Sequence, residues 1–249
     1  MLRAYGDGNL FGEPYGEGPV RVVFLHGWAR RGQDFAACAT ELAAHGVASV
    51  ALDLPGFGSS PNPTVAGGRR HYAELVTPAL QKLGEGPLVL VGHSFGGAVA
   101  TVIAAHHPEL VRALVLVGVP LVSVSTPTRA PRRYRLIRFL HAKGMVSEVR
   151  MEAARQRYGS SDYRNSSGVM RDVLVASVNE TYEDEVKMQS VPVALLWGEL
   201  DDVTPVDVAT RSLELLSSPH SLRILPGIGH LLPTLAPHEL ATTIQEALS

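Results

Sequence analysis

The stretch from Pro87 to His106, PLVLVGHSFGGAVATVIAAH, constrains the chain more than any other. Leu88 to Val91 are uniformly apolar over a short, bounded run, the pattern of a strand buried on both faces of a sheet. From Phe95 onward small and apolar residues continue for three turns with no proline before Pro108, the pattern of a packed helix. Gly92-His93-Ser94-Phe95-Gly96 joins the two and fits the G-x-S-x-G nucleophile elbow. So sharp a turn holds its serine in an uncommon backbone conformation, and side chains at positions 92 and 96 would collide with neighbouring segments. It lifts the Ser94 hydroxyl above the sheet edge at a helix N-terminus, where the dipole favours negative charge. The pentapeptide alone also reads as a glycine-rich turn with an incidental serine. A strand before it and a helix after it favour the nucleophile.

The rest of the chain repeats the strand-then-helix rhythm. Residues up to about Pro19 read as edge strands and turns. A strand at 20–25 closes on His26-Gly27-Trp28, a helix spans 34–45, and a strand at 47–52 runs into the turn-rich loop Asp53-Leu-Pro-Gly-Phe-Gly-Ser-Ser60. A helix at 70–83 leads to the elbow strand, and another buried strand covers 112–118. This alternation predicts an α/β fold with a mostly parallel sheet and helices on both faces. It stops between residues 120 and 190, where only helical segments appear, at 132–143, 148–158 and 169–179. A strand at 191–197, a helix at 206–216, a strand at 221–225 and a final helix from Pro237 resume it. The expected organisation is therefore a core of residues 1–119 and 190–249, with a helical cap, 120–189, inserted after the strand that ends near Gly118. Open α/β sheets bind ligands at their C-terminal edge, so a cap there would roof the pocket.

A serine hydroxyl needs a base within hydrogen-bond reach and a third group to orient that base. In this architecture the acid follows a late strand and the histidine follows the last one. After Leu195-Leu-Trp197 the loop offers Glu199, Asp201 and Asp202, and spacing does not separate the two aspartates. Either could instead cap a turn or a helix start. After the last strand, Pro226-Gly-Ile-Gly-His230 sets His230 in a Gly-Pro loop and makes it the strongest of ten histidines. Near the elbow, His26, His93, Leu121 and Leu231 are candidate substrate-pocket residues, although His26 is also placed to hydrogen-bond its own loop and His93 to pack sideways. His106, His107, His220 and His238 read as helix-end or solvent-facing residues.

Several function classes are disfavoured. A formal net charge of −2 offers no bulk attraction to nucleic acid or membrane. The N-terminus lacks a signal peptide and no window reaches the length of a membrane span. The single cysteine, Cys38, cannot form an internal disulfide and reads as a buried thiol in an apolar helix. The expectation is a soluble cytoplasmic enzyme. With no Cys/His cluster at ligand spacing and no phosphate-binding glycine fingerprint, no metal or organic cofactor is expected.

Four separated motifs, Leu25-His-Gly-Trp28, Asp53-Leu-Pro-Gly-Phe-Gly-Ser-Ser60, Gly92-His-Ser-Phe-Gly-Gly97 and Trp197-Gly-Glu-Leu-Asp201 with Gly229-His230, resemble those of the α/β-hydrolase superfamily across nearly the whole chain. The resemblance implies that Asp201, fifth in the Trp-Gly-x-x-Asp pattern, is the acid of a Ser94–His230–Asp201 triad. It also implies that the backbone N–H groups of Trp28 and Phe95 form the oxyanion hole. Within the superfamily the motifs look most like carboxylesterases related to the pimeloyl-carrier-protein methyl ester esterase, which implies hydrolysis of an ester through an acyl-enzyme. Hydrolysis of carbon–carbon bonds, or perhydrolysis, on the same triad is the alternative. A binding receptor of the same fold with little catalysis is the alternative of another class. Ser94 argues against haloalkane dehalogenases and epoxide hydrolases, which carry aspartate at that position.

Charge in the expected cap is uneven. Between Pro120 and Met170 ten basic residues (Arg129, Arg132, Arg133, Arg135, Arg138, Lys143, Arg150, Arg155, Arg157, Arg164) face three acids (Glu148, Glu152, Asp162). This reads either as a solvated helical surface or as a docking face for an anionic or carrier-linked substrate.

Overall fold

The computed structural model of the protein describes residues 1–122 and 131–249, so Arg129 in the basic stretch lies outside the described residues. Eight strands form one sheet in the order β1-β2-β4-β3-β5-β6-β7-β8. They are β1 (Arg3–Tyr5), β2 (Leu10–Tyr15), β3 (Val20–Leu25), β4 (Ala48–Asp53), β5 (Leu88–His93), β6 (Val111–Val117), β7 (Val193–Gly198) and β8 (His220–Leu225). β1 and β2 pair antiparallel at one edge, and every pairing from β4 through β8 is parallel.

The described helices are α1 (Ala36–Ala44), α2 (Arg69–Leu83), α3 (Ser94–His106), α4 (Arg132–Ala142), α5 (Glu148–Tyr158), α6 (Ser161–Asn165), α7 (Gly168–Val178), α8 (Glu183–Lys187), α9 (Val206–Leu213), α10 (Leu232–Leu235) and α11 (Pro237–Leu248). The period-two alternation of strand side chains divides the core into two layers. Val23, Leu25, Leu90, Leu114 and Leu116 point towards α2, α3 and α9, in a cluster that includes Tyr72, Val99 and Val208. Val22, Phe24, Val89, Val91 and Val115 point the other way, towards Cys38 and Leu42 of α1 and Leu240 and Ile244 of α11. The inner strands are apolar throughout because both faces are covered. Cys38 is buried, and its surroundings push the thiol pKa up to about 12, so it packs as an inert small hydrophobe.

Helices α4 to α8 all lie between β6 and β7. Val173 of α7, Tyr182 and Val186 of α8 join the first core layer, which ties this block to the sheet. Two expected helices shift at their ends. The helix at 34–45 begins as a tight 3-10 turn over Gly32–Phe35. The helix at 206–216 ends at Leu213, because Leu215 and Leu216 bond back only three residues, to Ser212 and Leu213. Two short helices, α6 and α8, are too brief and polar to announce themselves by periodicity. Among the described residues no helix is long and apolar enough to cross a membrane.

Candidate active site

The end of β5 turns into α3 with no intervening loop. Ser94 is the first residue of the helix and adopts φ 48°, one of two non-glycine residues with positive φ among the described residues. The left-handed conformation is costly for a residue with a β-carbon and persists only where the surroundings impose it. They impose it here by close packing: a β-carbon at Gly92 would stand 2.4 Å from Gly97 Cα, and one at Gly96 2.3 Å from the Leu25 carbonyl oxygen. The Gly96 amide donates to the His26 carbonyl at 3.0 Å, stapling the elbow to the loop after β3.

That loop is held from inside by His26. Its ring is fully buried, its Nδ1 is 2.7 Å from the Gly27 carbonyl, and its Nε2 is 2.9 Å from the Leu54 amide. A carbonyl can only accept and an amide N–H can only donate, so Nδ1 carries the proton and Nε2 the lone pair. The imidazole is thereby fixed as one neutral tautomer. Burial, only partly offset by the Gly27 bond, lowers its pKa to about 4. The next residue but one, Trp28, packs its ring 5.4 Å from Phe95 and 5.0 Å from Phe57, and Tyr72 approaches Phe95 at 4.9 Å. This aromatic wall orients the backbone at Trp28 and Phe95. The Phe95 amide lies in the first turn of α3, where no intrahelical acceptor exists.

At the ends of β7 and β8 the chain brings Asp201 and His230 together. Asp201 Oδ2 accepts from His230 Nδ1 at 2.8 Å, with the carboxylate side chain 1% and the imidazole 14% exposed. Asp202, its neighbour, is exposed. Asp201 Oδ1 accepts from the Val203 and Thr204 amides at 3.0 and 2.8 Å, and Thr204 Oγ1 lies 3.0 Å from Oδ2. Burial pushes the Asp201 pKa up, but the bonds from His230 and Thr204 outweigh it and hold the carboxyl below its ordinary range. With Nδ1–H committed to the carboxylate, His230 Nε2 is left as a lone pair, the form a general base requires. The ring sits at the elbow: its centroid is 4.8 Å from that of His93, the residue before Ser94, and its backbone carbonyl accepts from His93 Nε2 at 2.9 Å.

Three of the four expected pocket residues are buried. His26 is 0%, His93 2% and Leu121 1% exposed, while Leu231 is 41% exposed. His26 turns inward because its ring substitutes for missing backbone partners in its loop. His93 wedges beneath His230, and burial together with the nearby His230 lowers its pKa to about 3. Leu121 joins the apolar layer beside α3.

Two residues at the site escaped sequence reasoning. Thr204 touches Asp201 Oδ2, His230 Nδ1 at 3.2 Å and the Gly118 carbonyl at 2.9 Å. Gly118, at φ +54°, ends β6 directly beneath the pair; a β-carbon there would stand 2.9 Å from Asp201 Oδ2. A threonine three residues after an aspartate and a glycine after an apolar run carry no distinctive local signal. Only the meeting of three strand ends gives them a role.

Comparison with known proteins fits this geometry. The signature of the alpha/beta hydrolase fold family matches residues 20–149. The chain is 30% identical to a lipase, LipV, of Mycobacterium tuberculosis over 96% of its own length and 98% of that protein's. It is 41% identical over 110 residues to a pimeloyl-[acyl-carrier protein] methyl ester esterase of Chromobacterium violaceum, across 44% of this chain and 41% of that one. The matched region spans less than half the length of that esterase and of a second, bifunctional relative. Among solved structures, an esterase from Exiguobacterium antarcticum superposes with a TM-score of 0.75 at 20% identity, over 100% of this chain and 99% of that one.

Proposed function

The chain belongs to the α/β-hydrolase fold family, and on that premise we propose that it is a serine hydrolase cleaving a carboxylic ester through an acyl-enzyme. Ser94 Oγ attacks the ester carbonyl while His230 Nε2 takes its proton. Asp201 holds the required His230 tautomer and stabilises the imidazolium that forms. The Trp28 and Phe95 amides receive the developing oxyanion, a contribution of about 3 kcal/mol for one donor in a comparable hole. His230 then protonates the leaving alcohol, and water repeats the sequence on the acyl group. Each step uses only groups of this chain.

The observation that carries this reading is the 2.8 Å bond between Asp201 Oδ2 and His230 Nδ1 at an elbow whose serine is forced to φ 48°. A carboxylate bonded this way leaves one proton arrangement on the imidazole, and that arrangement is the basic one.

Residues 120–189 are proposed as a cap over the core formed by 1–119 and 190–249. A small-molecule ester, anionic or carrier-linked, is the proposed substrate class. The name of the Chromobacterium relative supports the carrier-linked form. So does a group of exposed cations on α4 and α5, Arg133, Arg135, Arg138, Arg150 and Arg157. Arg155 is paired within the cap with Glu148, and Glu152 pairs with Arg171 of α7.

Ser94→Ala tests the mechanism. Turnover of p-nitrophenyl esters is expected to fall by about 10³-fold or more, and a fluorophosphonate probe should label the wild type at Ser94 but not the variant. Retained turnover in Ser94→Ala removes the proposal.

A further inference from the structure

The first turn of α2 begins Arg69-Arg70, two cations where a helix dipole favours anions. Arg70 is compensated: its Nε pairs with Glu185 Oε1 at 2.5 Å and its Nη2 donates to the Thr181 carbonyl at 2.7 Å. Arg69 is not. The nearby Glu180 carboxylate accepts from the Arg69 backbone amide at 2.7 Å and the Tyr182 hydroxyl at 2.6 Å, both on Oε2, and among the described residues it makes no ion pair with the Arg69 guanidinium. Among the described residues the Arg69 guanidinium reaches only neutral acceptors, through Nη1, the Ser177 carbonyl at 2.9 Å and the Tyr182 hydroxyl at 3.2 Å. Its Nε is buried with no hydrogen-bond partner among the described residues. Residues 123–130, SVSTPTRA, contain no carboxylate that could serve as a counter-charge. A guanidinium drawn from bulk water without an ion pair destabilises the fold unless something else repays its desolvation.

Its location indicates what that is. The guanidinium carbon lies 5.3 Å from the centroid of the Phe95 ring and 5.6 Å from that of Tyr182. Phe95 in turn touches Trp28, so the cation rests on the aromatic wall whose backbone carries both candidate oxyanion donors. Ring contacts favour the cation but take up none of its N–H groups. With Nη1 engaged, the edge formed by Nε and Nη2 remains, and those two parallel N–H bonds are the fork that accepts a carboxylate bidentately. Arg69 as a whole is partly exposed, while its Nε is shielded from solvent.

We propose that Arg69 is a specificity residue that receives a carboxylate carried by the ester, so that the preferred substrate is a half-ester of a short dicarboxylic acid. The proposal rests on the esterase reading and adds the substrate's charge. The test compares the wild type, Arg69→Gln and Arg69→Lys on two matched substrates, p-nitrophenyl butyrate and the p-nitrophenyl half-ester of glutaric acid. The wild type should favour the half-ester in kcat/KM by at least tenfold. Arg69→Gln should reduce that ratio to near one, chiefly by raising KM for the half-ester, and Arg69→Lys should retain part of it. No preference in the wild type, a ratio unchanged in Arg69→Gln, or an equal loss on both substrates overturns the proposal, the last by showing Arg69 to be a strut. If Arg69→Gln fails to fold, glutarate and glutaramide are compared as inhibitors of butyrate-ester hydrolysis by the wild type. Glutarate should act at one-tenth of the concentration or less, and equal inhibition counts against the site. Should the wild type hydrolyse neither ester, the esterase reading fails by itself. Calorimetric binding of glutarate to Ser94→Ala then still decides: binding supports the anion site and its absence overturns it.

Discussion

Two corners of the same sheet edge treat their polar groups in opposite ways. At the β6–β7–β8 corner the acid is answered from within the chain: Asp201 uses both oxygens on Val203, Thr204 and His230, while His230 Nε2 is left open for the proposed catalysis. The His26 ring in the loop after β3 is equally complete, with one nitrogen giving and one receiving. At the α2–α7–α8 corner Arg69 has a buried Nε that no described residue answers. Groups that must keep one orientation are closed internally. A charge left open beside the same aromatic wall is directed to something that arrives from outside.

The largest expected effect breaks the closed corner at its acid. Asp201→Asn should cut kcat/KM by about 10³-fold or more, because an amide no longer enforces the His230 tautomer. Asp202→Asn, on an exposed side chain, should remain within twofold. Equal losses in steady-state assays of the two variants would mean that the bond to His230 does not matter to turnover.

The next effect concerns stability. His26 has an ordinary pKa of 6.5 and about 4 in the folded protein. As pH falls below 6.5 the unfolded chain takes up a proton that the folded chain refuses, so stability declines down to about pH 4 and then levels off for this group. The full loss is about 3 kcal/mol, at 1.36 kcal/mol per unit. His93, lowered to about 3, contributes a decline of the same sign that extends one unit further. Urea denaturation from pH 7 to pH 4 should show this slope, and His26→Gln should be less stable at pH 7 yet lose part of the pH dependence. A wild type equally stable at pH 6.5 and pH 4 would contradict the closed, neutral ring. Asp201, held below the ordinary carboxylate range, contributes a further loss only at lower pH, as it is protonated.

The smallest effect sharpens the comparison. Thr204→Val removes one hydroxyl from the Asp201–His230 contact while leaving both backbone bonds to Oδ1. Turnover should fall about tenfold, on the scale of one lost hydrogen bond to a charged group, with an upward shift in the apparent pKa of the acid. Thr204→Ser, which restores the hydroxyl, should recover most of the activity. A valine variant with unchanged turnover and pH profile would make Thr204 packing only.

How much of this was legible in the sequence follows from the range of the interactions. The elbow was readable because its pattern is local: strand, glycine, serine, glycine and helix occupy one continuous stretch around Ser94 at φ 48°, although the β-carbon excluded at Gly96 would meet Leu25 of a distant strand. His230 was readable from chain order, as a histidine in a Gly-Pro loop after the last strand. Asp201 and Asp202 were equivalent by spacing, and motif resemblance rather than local chemistry favoured the first. The burial of His26, His93 and Leu121 was not legible, because sequence nearness to the elbow does not report the direction of a side chain. Each turned inward to satisfy backbone or fill the core.

The sequence by itself determined the parallel sheet, the block of helices between β6 and β7 and the serine turn, all consequences of periodicity and steric exclusion over neighbouring residues. Only the tertiary structure decided which aspartate meets His230, that Thr204 and Gly118 lie beneath the pair, and that the Arg69 guanidinium has no ion-pair partner among the described residues. Those facts depend on distances between chain segments up to about a hundred residues apart, where the hydrogen bonds of Arg69 to Ser177 and Tyr182 are made. A charge is paired or unpaired only with respect to everything folded around it.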